Sequence, residues 1–360
     1  MTKIKIFFYI FKYNKLQAVQ CCAYSHDGRY IASGGADGML CIWLAAKADC
    51  IRSLDHYEKW IFDVIWHKGD DLLVTASGDN VIRVWQVKTP GVTGVEDLME
   101  EPHVIRVLKS HVNWVLNVKY FMHKGEELLI SASADKTIRT WNVEKGEPIS
   151  IGRRHQSWIN SVDVAQVKDI ETEEINTVIA CGSSDNRVSL WKVTTRRDGV
   201  EGKVICMKTL LEHKDWVTTV MFTHDNQYIL SASKDCTICI WSASHQNLIS
   251  VMNDGHQKPI YSIAQSNLNR QGVRHVISTS SDKTCMFWNL EGRKTLRKGS
   301  QRIKQAIGHS APIYDVSFTP DGKFFCTASE DTSVRIWNAI TCVCLLKCEH
   351  REDTSWADKL

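Results

Sequence analysis

An all-β chain of repeated small sheets is what this sequence predicts, and three observations predict it. First, an aspartate precedes a tryptophan by six positions seven times over: Asp37/Trp43, Asp79/Trp85, Asp135/Trp141, Asp185/Trp191, Asp235/Trp241, Asp282/Trp288 and Asp331/Trp337. Second, those tryptophans lie 42, 56, 50, 50, 47 and 49 residues apart. That period falls in the range of propeller blades, and the longer intervals read as loop insertions. Third, no stretch sustains a 3.6-residue apolar period, so helix should be nearly absent. The class expected is a seven-bladed β-propeller of four-stranded antiparallel sheets.

Each unit divides the same way. In residues 213–241, His213 opens the unit and Val217, Val220 and Phe222 mark a first strand. THDNQ is a polar turn, YILSAS a second strand, KDCT a tight turn headed by Asp235, and ICIW a third strand rich in β-branched residues. LISVM, after the Ser242–Asn247 turn, supplies a fourth. The first strand repeats as Val19, Cys22, Tyr24; Ile61, Val64, Trp66; Val115, Val118, Tyr120; Ile159, Val162, Val164; Ile260, Ile263, Gln265; and Ile313, Val316, Phe318, with Gln265 the one polar residue. SHDGR at 25–29 and TPDGK at 319–323 place Asp-Gly between apolar runs, a strong hairpin signal.

Composition bounds the class of protein. A chain of 360 residues, 43% hydrophobic and 24% charged, is globular rather than disordered. A net charge of +3 is too mild to imply nucleic acid by itself. No run approaches the apolar length of a membrane helix. The opening IFFYIF, flanked by lysines, is too short for the apolar region of a signal peptide and lacks a small-residue cleavage site. The 13 cysteines are therefore expected as reduced, mostly buried thiols in cytoplasm or nucleus.

Histidines open six units: His56, His111, His155, His213, His256 and His309. Four positions before each aspartate stands Ser33, Thr75, Ser131, Cys181, Ser231, Ser278 or Thr327. Serine, histidine and aspartate together invite comparison with a hydrolase triad. A triad is built once per active site, whereas this set occurs in full five times, with no G-x-S-x-G elbow. A structural role fits better. The aspartate accepts N–H groups of its own turn, the histidine donates to that carboxylate and accepts from the hydroxyl, and the indole N–H finds the hydroxyl oxygen. Such a network is tolerable in a core because every member is satisfied.

These residues resemble the WD-repeat family of β-propellers over about residues 16–349. The resemblance implies seven sheets packed radially around a channel, with a His–Ser/Thr–Asp–Trp brace inside each blade: His111, Ser131, Asp135, Trp141; His213, Ser231, Asp235, Trp241; His256, Ser278, Asp282, Trp288; and His309, Thr327, Asp331, Trp337. Unit one has Lys15 in the histidine slot and unit four has Cys181 in the hydroxyl slot, so those two blades are expected to be the least rigid. No unit keeps a literal Trp-Asp pair. Residues 1–15 form an N-terminal strand or extension, 16–349 a single propeller, and 350–360 a tail or the start of a further repeat. Either IKIFFYIFKY at 4–13 or CVCLLKC at 342–348 can complete blade seven, and the spacing from Trp337 favours the latter.

The loops before the first strand and between the second and third share one face, the top. Near the histidine slot recur Trp60, Trp114, Trp158 and Trp216, with Pro259-x-Tyr261 and Pro312-x-Tyr314 in the last two units. Four adjacent tryptophans would form an arc at the channel mouth, and tryptophan is enriched at binding hot spots. The plainer alternative is that each ring covers its own histidine loop. Ala36, Gly78, Ala134, Ser184, Lys234, Ser281 and Glu330, each just before its aspartate, should border the same opening. Most are small, leaving Lys234 and Glu330 as the specific polar contacts.

The opposite face carries the insertions. Residues 87–106 hold four acids, IETEE at 170–174 adds more, and GRKTLRKGSQRIK at 292–304 has six basic residues and no acid. The basic run reads first as a solvated loop and second as a phosphate-contacting patch for RNA; without interleaved aromatics it gives no base-stacking platform. Cys236-Thr-Ile-Cys239 lies in an ordinary unit. Cys342, Cys344, Cys348 and His350 point to one side of a single strand at ~7 Å per two residues, so they cannot surround a tetrahedral ion. The function expected is a non-catalytic scaffold that binds peptide motifs or partner subunits on the top face. The alternative is an RNA-associated propeller using the 292–304 loop. No cofactor, metal, membrane or small-molecule substrate is expected.

Overall fold

A computed structural model describes residues 18–55, 59–87, 101–169, 172–195, 202–266, 275–290 and 302–349. They form seven four-stranded antiparallel sheets, at 19–55, 61–109, 115–153, 159–211, 217–252, 260–307 and 313–349, which we call blades 1 to 7. In every blade the strands pair in chain order. Blade 3 is typical: Val115–His123, Glu126–Ser133, Thr137–Asn142 and Glu147–Arg153. First strands of successive blades touch around the ring, and that of blade 7 touches blade 1, so the first strands line the channel. No helix occurs among the described residues.

The alternation of side chains explains why these sequences become these sheets. Second strands such as LLVTAS at Leu72–Ser77 and YILSAS at Tyr228–Ser233 are buried almost throughout, since both faces of a blade pack on neighbours. Fourth strands alternate and leave Val107, Ile151, Ile205, Leu248 and Leu345 exposed at the circumference. Apolar clusters lie between blades rather than within them. One runs from Leu40 and Ile42 through Ile61 and Val64 to Trp85, joining blades 1 and 2.

The residue after each turn aspartate has positive φ: Gly38, Asn80, Lys136, Asn186, Cys236, Lys283 and Thr332, between 66° and 84°. Only one is glycine, so the left-handed conformation needs an offset elsewhere. It comes from the aspartate, whose Oδ1 accepts the N–H two residues on, at 2.9–3.2 Å in all seven blades.

All seven seams between blades are crossed by hydrogen bonds. Asp63 accepts from Asn117 Nδ2 at 2.6 Å and Val118 N–H at 2.9 Å, and Asn117 Oδ1 accepts Val162 N–H at 2.8 Å. Asp163 accepts Phe222 N–H, and Thr218 Oγ1 donates to the Ile260 carbonyl. Asp315 joins three blades, accepting Ser262 Oγ–H at 2.8 Å and Cys22 N–H at 3.0 Å. The indole of Trp66 donates to the Ala23 carbonyl at 3.1 Å, closing the remaining seam. Burial raises the Asp63, Asp163 and Asp315 carboxyls above the usual range, and Asp315 reaches about 6 against the hydrogen bond from Cys22, with Asp63 adding to the rise.

The outermost strand of blade 7 is Cys344–Glu349, paired with Ser333–Asn338. The N-terminal strand at 4–13, Lys15 and the tail from 350 lie outside the described residues, as do His56 and most of the 87–106 insertion. Of the basic run, 292–301 lies outside them too, while Arg302–Ile307 opens as a strand of blade 6 rather than a loop.

Candidate partner-binding site

Among the described residues, the histidine, hydroxyl, aspartate and indole groups meet in one network in each of blades 3 to 7. His111 Nδ1 lies 2.7 Å from Asp135 Oδ2, its Nε2 2.7 Å from Ser131 Oγ, and Trp141 Nε1–H donates to the same oxygen at 2.8 Å. Blade 5 repeats this with His213, Asp235, Ser231 and Trp241 at 2.9, 2.8 and 2.8 Å. In blade 6, His256, Asp282, Ser278 and Trp288 stand at 2.7 Å throughout. In blade 7, His309, Asp331, Thr327 and Trp337 stand at 2.8, 2.7 and 2.9 Å. One proton arrangement satisfies all members: Nδ1–H donates to the carboxylate, the hydroxyl donates to Nε2, and the indole donates to the hydroxyl.

The electrostatics follow from that arrangement. Burial pushes Asp135, Asp235 and Asp331 upward, but hydrogen bonds from the histidine and from Thr137, Thr237 or Ser333 outweigh it and hold all three well below the usual carboxylate range. Burial lowers His111 and His309 against the pull of Asp135 and Asp331, so both imidazoles favour the neutral form. Arg139 and Arg335 stand 3.7 and 3.8 Å from Asp135 and Asp331, and in blade 2 Arg83 pairs with Asp79 at 2.6 Å.

Blade 4 differs from the expectation drawn from Cys181. The missing hydroxyl is supplied by Ser189, directly across the strand pair from Cys181. Its Oγ lies 2.6 Å from His155 Nε2 and accepts the Trp191 indole at 2.8 Å, while His155 Nδ1 reaches Asp185 at 2.9 Å. The brace is intact, so no loss of rigidity follows from the cysteine. Blade 1 keeps its indole bond, Trp43 to Ser33 at 2.7 Å, and its aspartate turn. Blade 2 keeps Trp85 to Thr75 at 3.1 Å.

A second serine was not singled out from the sequence. Ser77, Ser133, Ser183, Ser233, Ser280 and Ser329 each accept the N–H of the turn aspartate and donate to a carbonyl of the loop before the first strand. The S/T-x-S-x-D spacing, present in five blades, was the available signal.

That serine and a backbone bond fix the top face. In each blade the residue before the aspartate donates its N–H to the residue just ahead of the first strand: Gly78 to Trp60, Ala134 to Trp114, Ser184 to Trp158, Lys234 to Trp216, Ser281 to Pro259 and Glu330 to Pro312. The tryptophans therefore stand beside the residues expected to border the opening. They also touch one another. Ring centroids are 6.3 Å apart for Trp60 and Trp114, 5.6 Å for Trp114 and Trp158, and 6.2 Å for Trp158 and Trp216. Phe62, not singled out from the sequence, packs on both Trp60 and Trp114. Trp158 and Trp216 are 36% and 40% exposed, unlike the interior tryptophans.

The two expected polar contacts are already engaged. Lys234 Nζ sits 3.8 Å above the Trp216 ring, and burial lowers its pKa against the pull of Asp215. Glu330 accepts the Tyr314 hydroxyl at 2.9 Å, and Tyr314 packs edge-on against Tyr261 at 5.1 Å. Among the described residues no group of three or more His, Cys, Asp or Glu is placed to hold a metal ion. No described helix is long and apolar enough to cross a membrane.

The family model described as "WD domain, G-beta repeat" matches residues 9–43, 48–86, 102–142, 146–192, 204–242, 246–289 and 300–338. The chain is 22% identical over 323 residues to the Nuclear distribution protein nudF of Aspergillus niger, covering 89% of this chain and 59% of that protein. It is 24% identical over 241 residues to the Guanine nucleotide-binding protein subunit beta of Oryza sativa subsp. japonica, covering 66% and 58%. It is 21% identical over 334 residues to the Transcriptional corepressor LEUNIG_HOMOLOG of Arabidopsis thaliana, covering 91% and 37%. The chain spans less than two thirds of the length of each of these relatives.

Proposed function

The chain belongs to the WD-repeat family, and from that premise we propose that it is a non-catalytic scaffold holding peptide motifs or partner subunits at the top of the channel, within a larger assembly. The observation that carries this reading is the contiguous row Trp60, Trp114, Trp158 and Trp216 at the channel mouth, with two of its rings more than a third exposed. Large, stiff aromatic groups bury much area on binding at small entropic cost. The names of the relatives point the same way: one is a subunit and another a corepressor.

The serine–histidine–aspartate sets do not serve as reagents in this reading. Ser131, Ser231, Ser278 and Thr327 are wholly buried, and each oxygen already accepts an indole N–H. A nucleophile needs a path to its substrate and a donor-lined site for the developing oxyanion, and the brace has neither to offer. The lysine, glutamate and tyrosines of blades 5 to 7 complete the rim of the partner site.

The test is capture of partners by the wild type and by a Trp60→Ala/Trp114→Ala/Trp158→Ala variant, with thermal unfolding of both. The expected result is loss of captured proteins with a transition that stays cooperative. Equal capture by the two would overturn the top-face reading.

A further inference from the structure

Six seams of the ring join blades that are consecutive in the chain; the seventh joins blade 7 to blade 1. Across it, Cys22 N–H donates to Asp315 Oδ2 at 3.0 Å and Tyr24 N–H to Ser317 Oγ at 3.4 Å. Its side chains differ from those of every other seam. Two slots meet at each seam. One is the second-strand residue just before the hydroxyl slot. The other lies on the first strand of the next blade, across from that blade's own hydroxyl slot. Val74 with Val118, Leu230 with Ile263 and Ile277 with Val316 are typical, each pair within one buried cluster. At all six consecutive seams both slots hold Ala, Val, Leu or Ile. At the seventh they hold Cys326 and Cys22, whose sulfurs lie 3.5 Å apart.

Packing alone does not favour the exchange. A thiol covers less apolar area than the valine or isoleucine that stands in the Cys22 slot of the other blades, so it weakens the seam that no chain link reinforces. What two adjacent thiols add is chemistry. Sulfurs 3.5 Å apart are in contact and stand roughly 1.5 Å beyond the length of an S–S bond.

We propose that Cys22 and Cys326 form a redox latch: oxidation joins them in a disulfide that closes the propeller covalently, and reduction returns two packed thiols. The oxidant is a small disulfide such as oxidised glutathione. One cysteine thiolate attacks a sulfur of that disulfide and releases the first small thiolate. The other cysteine thiolate attacks the mixed disulfide, forms the Cys22–Cys326 bond and releases the second. The protein thiols lose two electrons, the small disulfide gains them, and the two cysteine protons end on the two small thiols. Burial gates the reaction. Both side chains are buried, and burial, with contact from Cys326, holds the Cys22 thiol well above its ordinary range. The thiolate therefore forms when the seam opens, and reclosure brings the two sulfurs back together. The latch responds to oxidation only where the first and last blades part.

The test incubates the full chain with oxidised glutathione, blocks the remaining thiols in denaturant and maps cross-linked peptides by mass spectrometry. Cys22→Val and Cys326→Ala run in parallel, since Val118 and Ala180 stand at these slots elsewhere in the ring. The exposed Cys50 is expected to take up glutathione first. A peptide pair joined through Cys22 and Cys326, lighter by two hydrogens, should follow. The oxidised chain should unfold a few degrees higher, because a cross-link across 304 positions restrains the unfolded chain, and dithiothreitol should abolish the rise. Neither variant should show the rise, and both should unfold cooperatively when reduced. Three results would overturn the latch: glutathione on Cys50 with no disulfide within the protein, a disulfide through Cys41 or Cys348 in place of the expected pair, or a rise that Cys22→Val retains. The peptide map of the wild type decides the matter for a variant that folds poorly.

Discussion

The molecule holds two sets of tryptophans, and the same side chain does opposite work in each. The interior set is buried between blades: Trp85 and Trp141 show no exposed surface, and Trp43, Trp191, Trp241, Trp288 and Trp337 nearly none. Each interior indole N–H donates to a hydroxyl within its own blade. The mouth set, Trp60, Trp114, Trp158 and Trp216, packs mainly on itself, and two of the four rings are over a third exposed. Position in the unit decides the difference. An indole at the end of the third strand faces the neighbouring blade, whereas one just before the first strand faces the opening. Repetition in sequence therefore marks interior braces and surface alike, and burial with hydrogen bonding separates them.

The largest expected break in this contrast is Trp141→Ala. It removes a wholly buried ring packed with Val74, Val84 and Leu129, and leaves Ser131 without its indole donor. Loss of about 3–5 kcal/mol is expected, read as a fall in the denaturation midpoint at unchanged slope. A variant as stable as the wild type would show that the brace contributes nothing.

The braces and the number of blades were legible in the sequence because the Asp–Trp spacing recurs in all seven units, so one spacing rule was sampled seven times. The aromatic row was legible as four residues at one position. What the repeat could not reveal is whatever crosses from one blade to another. Asp63, Asn117 and Asp315 stand third in their first strands and accept the N–H of the fourth residue of the next first strand, Val118, Val162 or Cys22, whereas Asp163 stands fifth and accepts from Phe222. Within a single unit that residue reads only as a polar side chain in the first strand, and its partner lies in the next blade. Ser189 escaped for a related reason: the hydroxyl moved from the second strand to the third, across from Cys181, where a position-by-position reading of the hydroxyl slot does not look.

Blade 4 sharpens the comparison next. Ser189→Ala should leave both His155 Nε2 and the Trp191 indole without their partner in a dry interior, at roughly 1–3 kcal/mol. Ser189→Ala with Cys181→Ser should recover part of the loss by restoring the arrangement of the other blades. If Ser189→Ala unfolds at the wild-type midpoint, the relocated hydroxyl is not a brace.

Acidity separates the braces from the seams. Asp135, Asp235 and Asp331 are held below their ordinary value of 3.8, and His111 and His309 below 6.5. Groups lowered in the folded chain contribute stability that is present above the unfolded value and lost as pH falls through the folded one. The braces should therefore weaken below pH 6.5 as histidines charge on unfolding, and further below 3.8. Asp315 runs the other way. Raised from 3.8 to about 6, its contribution is complete below 3.8 and lost as pH rises through about 6. Midpoints should show Asp315→Asn gaining on the wild type as pH rises from 3.8 to about 6, and Asp135→Asn gaining on the wild type as pH falls below 3.8. Parallel pH profiles for the two variants would contradict the assignment of opposite roles.

The smallest expected change in stability belongs to Trp114→Ala. Its ring contacts Trp60, Phe62 and Trp158, all at the mouth, and its loss should cost about 1 kcal/mol, the scale of aromatic pair contacts. Its backbone carbonyl still accepts the Ala134 N–H, so the turn that carries Asp135 remains anchored. The variant should unfold cooperatively close to the wild-type midpoint while its affinity for a mouth ligand falls several-fold more than its stability does. If instead Trp114→Ala and Trp141→Ala lower the midpoint equally, the mouth tryptophans are braces as well, and the division between the two sets fails at its weaker member.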